Sequence, residues 1–220
     1  MDSNREPKIN TVGILFPKML FKNVMQKAHY QINKLHKAQK KDAQFHLIKN
    51  SDDLKKLVEL RTQDKNHIGG LLAIEGIHCI GDSIKQLDYL YEKGVRIIGL
   101  AHFFDNSFAG SQSGVEKYGL TNKGIELIKR MDSLGMIVDL AHSSLSTIDS
   151  VLKYAKKPPI ISHVGCQSIL QSNRNLSDEY LSKVLNAGGL VGIMFYNQLN
   201  KNKINLDLIV KQIIHLKKNQ

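Results

Sequence analysis

Four residues able to act on, or through, a metal follow short apolar runs at separated points of the chain. Glu75 follows Leu71-Leu72-Ala73-Ile74, and His102 follows the run at 95–100. His142 follows Met136-Ile137-Val138-Asp139-Leu140, and His163 follows Ile160-Ile161. Neutral imidazole and carboxylate are ligands that zinc accepts, and two histidines with one glutamate form a recurrent catalytic set that leaves a position open for water. A metal held there lowers the pKa of that water to about 7 and polarises a carbonyl for attack. One histidine at a strand end is ordinarily a hydrogen-bonded structural residue; four such groups at corresponding places are the signal. Competing chemistries find no footing. Gly110-Ser111-Gln112-Ser113-Gly114 puts glutamine where G-x-S-x-G needs serine, and neither G-x-G-x-x-G nor a P-loop occurs.

These residues can meet only if the runs before them are parallel strands whose carboxyl ends share a rim. Runs at 71–74, 95–100, 136–140, 160–161 and 190–195, with an earlier one at 11–16, are aliphatic and β-branched throughout. Strands buried on both faces require that composition. Between them lie stretches of helical period. Ser83 precedes Ile84, Leu87, Leu90 and Tyr91, and Gly94 stops the run; Thr121 precedes Ile125, Ile128 and Met131, and Gly135 stops it. Ser146 precedes Ile148, Val151 and Leu152, and Ser177 precedes Leu181, Val184 and Leu185. Earlier helices are predicted from Ser51-Asp52-Asp53 onward and through Phe21, Val24, Ala28, Ile32 and Leu35, and a last one over 206–216. Alternation of this kind makes an α/β protein. A doubly wound sheet and a (β/α)8 barrel both fit it, and ligands at several strand ends favour the barrel, whose active sites lie on that rim. The residues alone therefore point to a metal-dependent hydrolase on a barrel.

Composition narrows the field. The chain has 220 residues, 42% hydrophobic and 23% charged, with 31 Lys and Arg against 20 Asp and Glu. Disorder is excluded by that apolar content, and no run reaches the roughly 18 apolar residues of a membrane span. The net charge of +11 does not imply nucleic acid. Its densest cluster, 34–41, sits at a predicted helix end, where cations meet the dipole favourably. Aromatic residues are only 6% and do not interleave with it, so a stacking platform is lacking. Two cysteines, Cys79 and Cys166, without a CxxC, and a polar start without an apolar signal region, predict a reducing cytoplasm and no membrane attachment.

Ile74-Glu75-Gly76-Ile77-His78, Leu100-Ala101-His102-Phe103-Phe104-Asp105-Asn106, Gly119-Leu120-Thr121, Gly135 through His142, Ile161-Ser162-His163 and Asn173-Arg174-Asn175-Leu176-Ser177 occur in this order. They resemble the membrane (renal-type) dipeptidase family of zinc metallopeptidases, particularly its bacterial members, most clearly over 69–196. The resemblance implies a single (β/α)8 barrel domain that hydrolyses dipeptides at a centre of two zinc ions. Glu75 then corresponds to the carboxylate bridging both metals, and His142 and His163 complete one metal site. His102 corresponds to the histidine that binds substrate near the scissile carbonyl and shares the catalytic role with Glu75. Arg174 matches the arginine that holds the substrate's terminal carboxylate, and Tyr196 a tyrosine on the substrate side. His78 follows the family pattern with a structural reading.

The same resemblance predicts what is absent. A His-x-Asp pair on the family's first strand completes the other zinc site, and none of the nine histidines here begins one. A proton-transferring aspartate on a late strand has no counterpart before Gln220. The expectation is a barrel holding strands two to seven, truncated at both ends, with one zinc site retained. The open strand edges would invite a second copy or a complementing chain. Two functional readings follow, a zinc-dependent dipeptidase and a non-catalytic remnant that retains at most one metal site.

Overall fold

The structure is a computed structural model that describes residues 23–195 and 206–218. The expected strand at 11–16 and Tyr196 lie outside the described residues. Its elements are α1 (Val24–Lys41), β1 (Phe45–Leu47), α2 (Ser51–Gln63), β2 (Ile68–Gly70), β3 (Leu72–Ile74), a 3-10 turn (Ile77–Ile80), α3 (Lys85–Glu92), β4 (Val95–Gly99), α4 (Asn122–Leu134), β5 (Ile137–Asp139), α5 (Leu145–Tyr154), β6 (Ile160–Val164), α6 (Asp178–Asn186), β7 (Leu190–Ile193) and α7 (Leu206–Lys218).

Five strands form one parallel sheet in the order β3-β4-β5-β6-β7, each strand beside its successor. A parallel sheet with a helix in each crossover is an open part of a (β/α) barrel; closure is not seen among the described residues. The pairing thins between β5 and β6, where a single register pair, Asp139 with Ile160, joins the strands. A second parallel pair, β1 with β2, precedes this sheet, and β2 meets β3 across Leu71.

The helices lie on the sheet because their apolar stripes have nowhere else to go. Leu87 and Leu90 of α3, Leu127, Ile128 and Met131 of α4, and Ile148 and Val151 of α5 are buried against Val95, Ile98 and Val138 of the strands. Full burial of each such side chain contributes about 1.5–3 kcal/mol. Local chemistry sets the helix ends. Asn23, Asn50, Thr121 and Ser144 each accept a hydrogen bond from the backbone N–H three residues on, which satisfies one of the donors left over at a helix start. Gly135 ends α4 in a left-handed conformation, φ 73°, which lacks steric cost without a Cβ.

A serine ahead of each apolar period predicts a helix start, and two of these starts need correction. Ser83 does not cap α3: the helix begins at Lys85, and Ser83 lies in a turn whose carbonyl accepts from Gln86 N–H. Ser146 lies inside α5, because Ser144 is the capping residue and places the first turn two residues earlier. The strand expected to finish on His163 does carry it, and runs one residue further, to Val164.

Candidate metal centre

Glu75 follows β3 directly, His102 and His142 come three residues after the last residues of β4 and β5, and His163 is the fourth residue of β6. The sheet is parallel, so all four stand at the same rim. The Nε2 atoms of His142 and His163 lie 3.0 and 3.2 Å from the same oxygen, Oε1 of Glu75. They are 3.0 Å from each other, and Nε2 of His102 is 3.8 Å from that oxygen. Glu75, His102 and His142 also form a set whose ligand atoms all lie within 4.8 Å of one another.

The backbone around these residues is built to hold them. Gly76 has φ +82°, and a Cβ there would come within 2.9 Å of the His78 ring and 3.0 Å of His102 Cβ; only glycine lets the chain turn there while Glu75 faces the rim. His142 itself has φ 64°, a conformation in which histidine is enriched but still costs about 1–2 kcal/mol. The loop that carries His102 is pinned by Asp105, whose carboxylate oxygens accept from Ser111 N–H (2.7 Å) and Glu116 N–H (2.9 Å). Ser111 in turn donates its hydroxyl to the His102 carbonyl at 2.5 Å. Arg174 comes from the loop after β6 and donates through Nη2 to the His163 carbonyl, 3.0 Å away. Beside it Asn175 is buried and donates to the Leu170 carbonyl.

Charge follows the geometry. Close contact with the His142 and His163 rings holds the Glu75 carboxyl well below the usual carboxylate range. Burial pushes His102 down, against the pull of Glu75, and it also pushes His78 down in the turn beneath the site. Arg174 is lowered by burial and supported by the fields of Glu75 and Asp139.

The donor set fits a tetrahedral ion. Zinc bonds of about 2.0–2.2 Å at tetrahedral angles place ligand atoms roughly 3.3–3.6 Å apart, a few tenths of an ångström wider than the 3.0–3.2 Å separations of Glu75, His142 and His163. Three ligands from three strands leave the fourth direction open.

Two residues near the site were not singled out from sequence. Phe103 packs its ring 4.0 Å from that of His102 and remains partly exposed. Asp139 is 6% exposed and accepts from the backbone N–H groups of Ala141 (3.0 Å) and Ser162 (2.9 Å). A buried acid ending an otherwise aliphatic strand was the available signal for it.

The family model described as membrane dipeptidase, peptidase family M19, matches residues 13–219. An uncharacterized dipeptidase of Schizosaccharomyces pombe is 32% identical over 157 residues, which are 69% of this chain and 38% of its own length. The dipeptidase verJ of Clonostachys rogersoniana is 39% identical over 130 residues, 58% of this chain and 34% of its own. The chain thus spans about a third of the length of the curated relatives it matches. Among solved structures, a metallo peptidase from Rhodobacter sphaeroides, liganded with a phosphinate mimic of L-Ala-D-Ala, superposes with a TM-score of 0.73 at 20% identity, over 85% of this chain and 55% of that one. An amidohydrolase from Pseudomonas aeruginosa gives 0.77 at 23% identity, over 88% and 58%. At these identities the superpositions speak to fold.

Proposed function

Because this chain belongs to the membrane dipeptidase family, peptidase family M19, we propose that it carries the rim of a zinc-dependent dipeptidase and hydrolyses the peptide bond of dipeptides with a metal-activated water. The observation that carries this reading is the approach of two imidazole nitrogens to one carboxylate oxygen within 3.2 Å.

Glu75, His142 and His163 would hold the ion, which when bound supplies an acidic water and a Lewis acid for the scissile carbonyl. The remaining chemistry belongs to the chain. Glu75 is oriented by two imidazoles and half-exposed toward the rim, where its carboxylate accepts a hydrogen bond from an attacking water and orients it. His102 stands 3.8 Å from that carboxylate and is our choice for the group that holds the scissile carbonyl. Its ring packs against that of Phe103. Arg174 offers a planar guanidinium suited to a terminal carboxylate, and its bond to the His163 carbonyl fixes its distance from the metal ligands. Tyr196 completes the substrate side in this reading.

We take 1–220 as one partial barrel domain that retains one zinc site and works in a reducing cytoplasm. Both cysteines are free and buried, which suits that compartment, and no described helix is long and apolar enough to cross a membrane. The basic turn at the end of α1 is read as solvated surface without a nucleic-acid partner. The exposed edge of β7, with Leu190 67% accessible, suits a second copy or a complementing chain.

Release of free amino acids from dipeptides by the zinc-supplied chain tests the proposal. The expected result is turnover that chelation abolishes and that Glu75→Gln removes. A zinc-loaded chain without turnover would instead be the non-catalytic form holding at most one metal.

A further inference from the structure

We propose that Asp139 and Ser162 are positioning residues that fix the His163 ring as its Nδ1–H tautomer, so that Nε2 presents a lone pair to the metal centre. The consequence for metal rests on the reading above; the proton assignment does not.

One proton decides the assignment. Oδ2 of Asp139 and Oγ of Ser162 are 2.5 Å apart, the separation of a charge-assisted O–H···O⁻ bond. An ionised carboxylate only accepts, and the other oxygen of Asp139 already accepts from the backbone N–H groups of Ala141 and Ser162. The short bond therefore uses the single hydroxyl proton of Ser162. That same Oγ lies 2.9 Å from Nδ1 of His163. With its proton committed to Asp139, Ser162 can only accept there, so Nδ1 must donate. In the neutral imidazole the other nitrogen is then an acceptor, and this is the atom that stands 3.2 Å from Glu75 Oε1 and 3.0 Å from Nε2 of His142. Partners of this kind set a ligand's tautomer and raise its basicity, and their loss typically weakens metal binding by about 10–100-fold. The relay also crosses from β5 to β6, so it fixes the ring and its strand together.

Substituting asparagine at Asp139 reverses the relay. Its oxygen can keep the two backbone donors, which turns its NH2 toward Ser162; the serine hydroxyl is then free to donate to Nδ1, and the ring proton moves to Nε2.

Long-range proton–nitrogen NMR spectra of the metal-free full chain, at a pH about two units above the ordinary histidine value of roughly 6.5, report the tautomer directly. His163 should give the Nδ1–H pattern in the wild type and the Nε2–H pattern in D139N. Zinc titration should show affinity lower by about 10–100-fold in D139N and about tenfold in S162A, with S162T restored to near the wild-type value. Ser162 is exposed, so S162A reads out the relay even if D139N fails to fold. An Nε2–H wild-type ring, or S162A with undiminished zinc affinity, overturns the proposal. A wild-type Nδ1–H ring in a chain that takes up no zinc upholds the relay and overturns the metal-centre reading alone.

Discussion

Nε2 of His142 and Nε2 of His163 stand 3.0 Å apart, each within 3.2 Å of one oxygen of Glu75. Lone pairs on two ring nitrogens and a carboxylate repel at such distances unless something positive lies among them, whether a proton or a metal ion. The strands they follow or belong to are held by a buried core, which keeps their backbones close. The first prediction follows. Zinc at 100 times its dissociation constant should stabilise the chain by about 2.7 kcal/mol, read as a rise in Tm, and Glu75→Gln should remove most of that rise.

The two thiols should be silent. Burial pushes both Cys79 and Cys166 up to about 11, from an unfolded value of 9.0. A raised folded-state value means that the contribution to stability is intact below pH 9 and declines as pH climbs from about 9 toward 11. Thiol-reactive dye at pH 8 should label neither cysteine in the native chain and both after unfolding, and Tm should fall over the alkaline window.

Core and surface should separate cleanly. Leu127 is fully buried on α4, whereas Val115 is 92% exposed in the loop after β4. Leu127→Ala should cost about 2–5 kcal/mol and Val115→Ala less than about 0.5 kcal/mol in denaturant titrations.

A single hydroxyl should matter nearly as much. Ser144 accepts from Thr147 N–H (3.0 Å) and donates to the Tyr118 carbonyl (2.7 Å), and it is 2% exposed. Alanine there removes the acceptor for Thr147 N–H and leaves the Tyr118 carbonyl only the Thr147 hydroxyl, 3.1 Å away, for a loss of about 1–3 kcal/mol. Faster amide exchange in the first turn of α5 should accompany it. Unchanged stability would mean that water replaces the hydroxyl.

Much of this arrangement is legible in the sequence because it depends on period and punctuation. The five strands of the main sheet announce themselves as aliphatic runs, and Glu75, His102, His142 and His163 by ending or following them. The pair β1 and β2 does not. Each is three residues long; one carries His46 and the other ends in Gly69-Gly70, so neither has the β-branched texture of a buried strand. Ser146 and Ser83 misled for another reason: serines are frequent near helix starts, and which one caps is settled by tertiary contacts, as at the start of α5, where the distant Tyr118 carbonyl takes the Ser144 hydroxyl. The meeting of His142 and His163 on one oxygen was invisible too, since their separation is set by strand register and by the left-handed backbone at His142, both of them products of tertiary packing.

The thinness of the pairing between β5 and β6 has a mechanical meaning. With one register pair between those strands and a backbone bond from Leu140 N–H to the Ile160 carbonyl, the seam is stitched further by the Asp139 side chain, which accepts from the Ser162 backbone across it. The strands on either side carry His142 and His163. A slip of the seam by one residue would therefore do more than weaken the sheet: it would pull the two imidazoles out of reach of each other. Sheet register and imidazole spacing are thereby coupled in this chain.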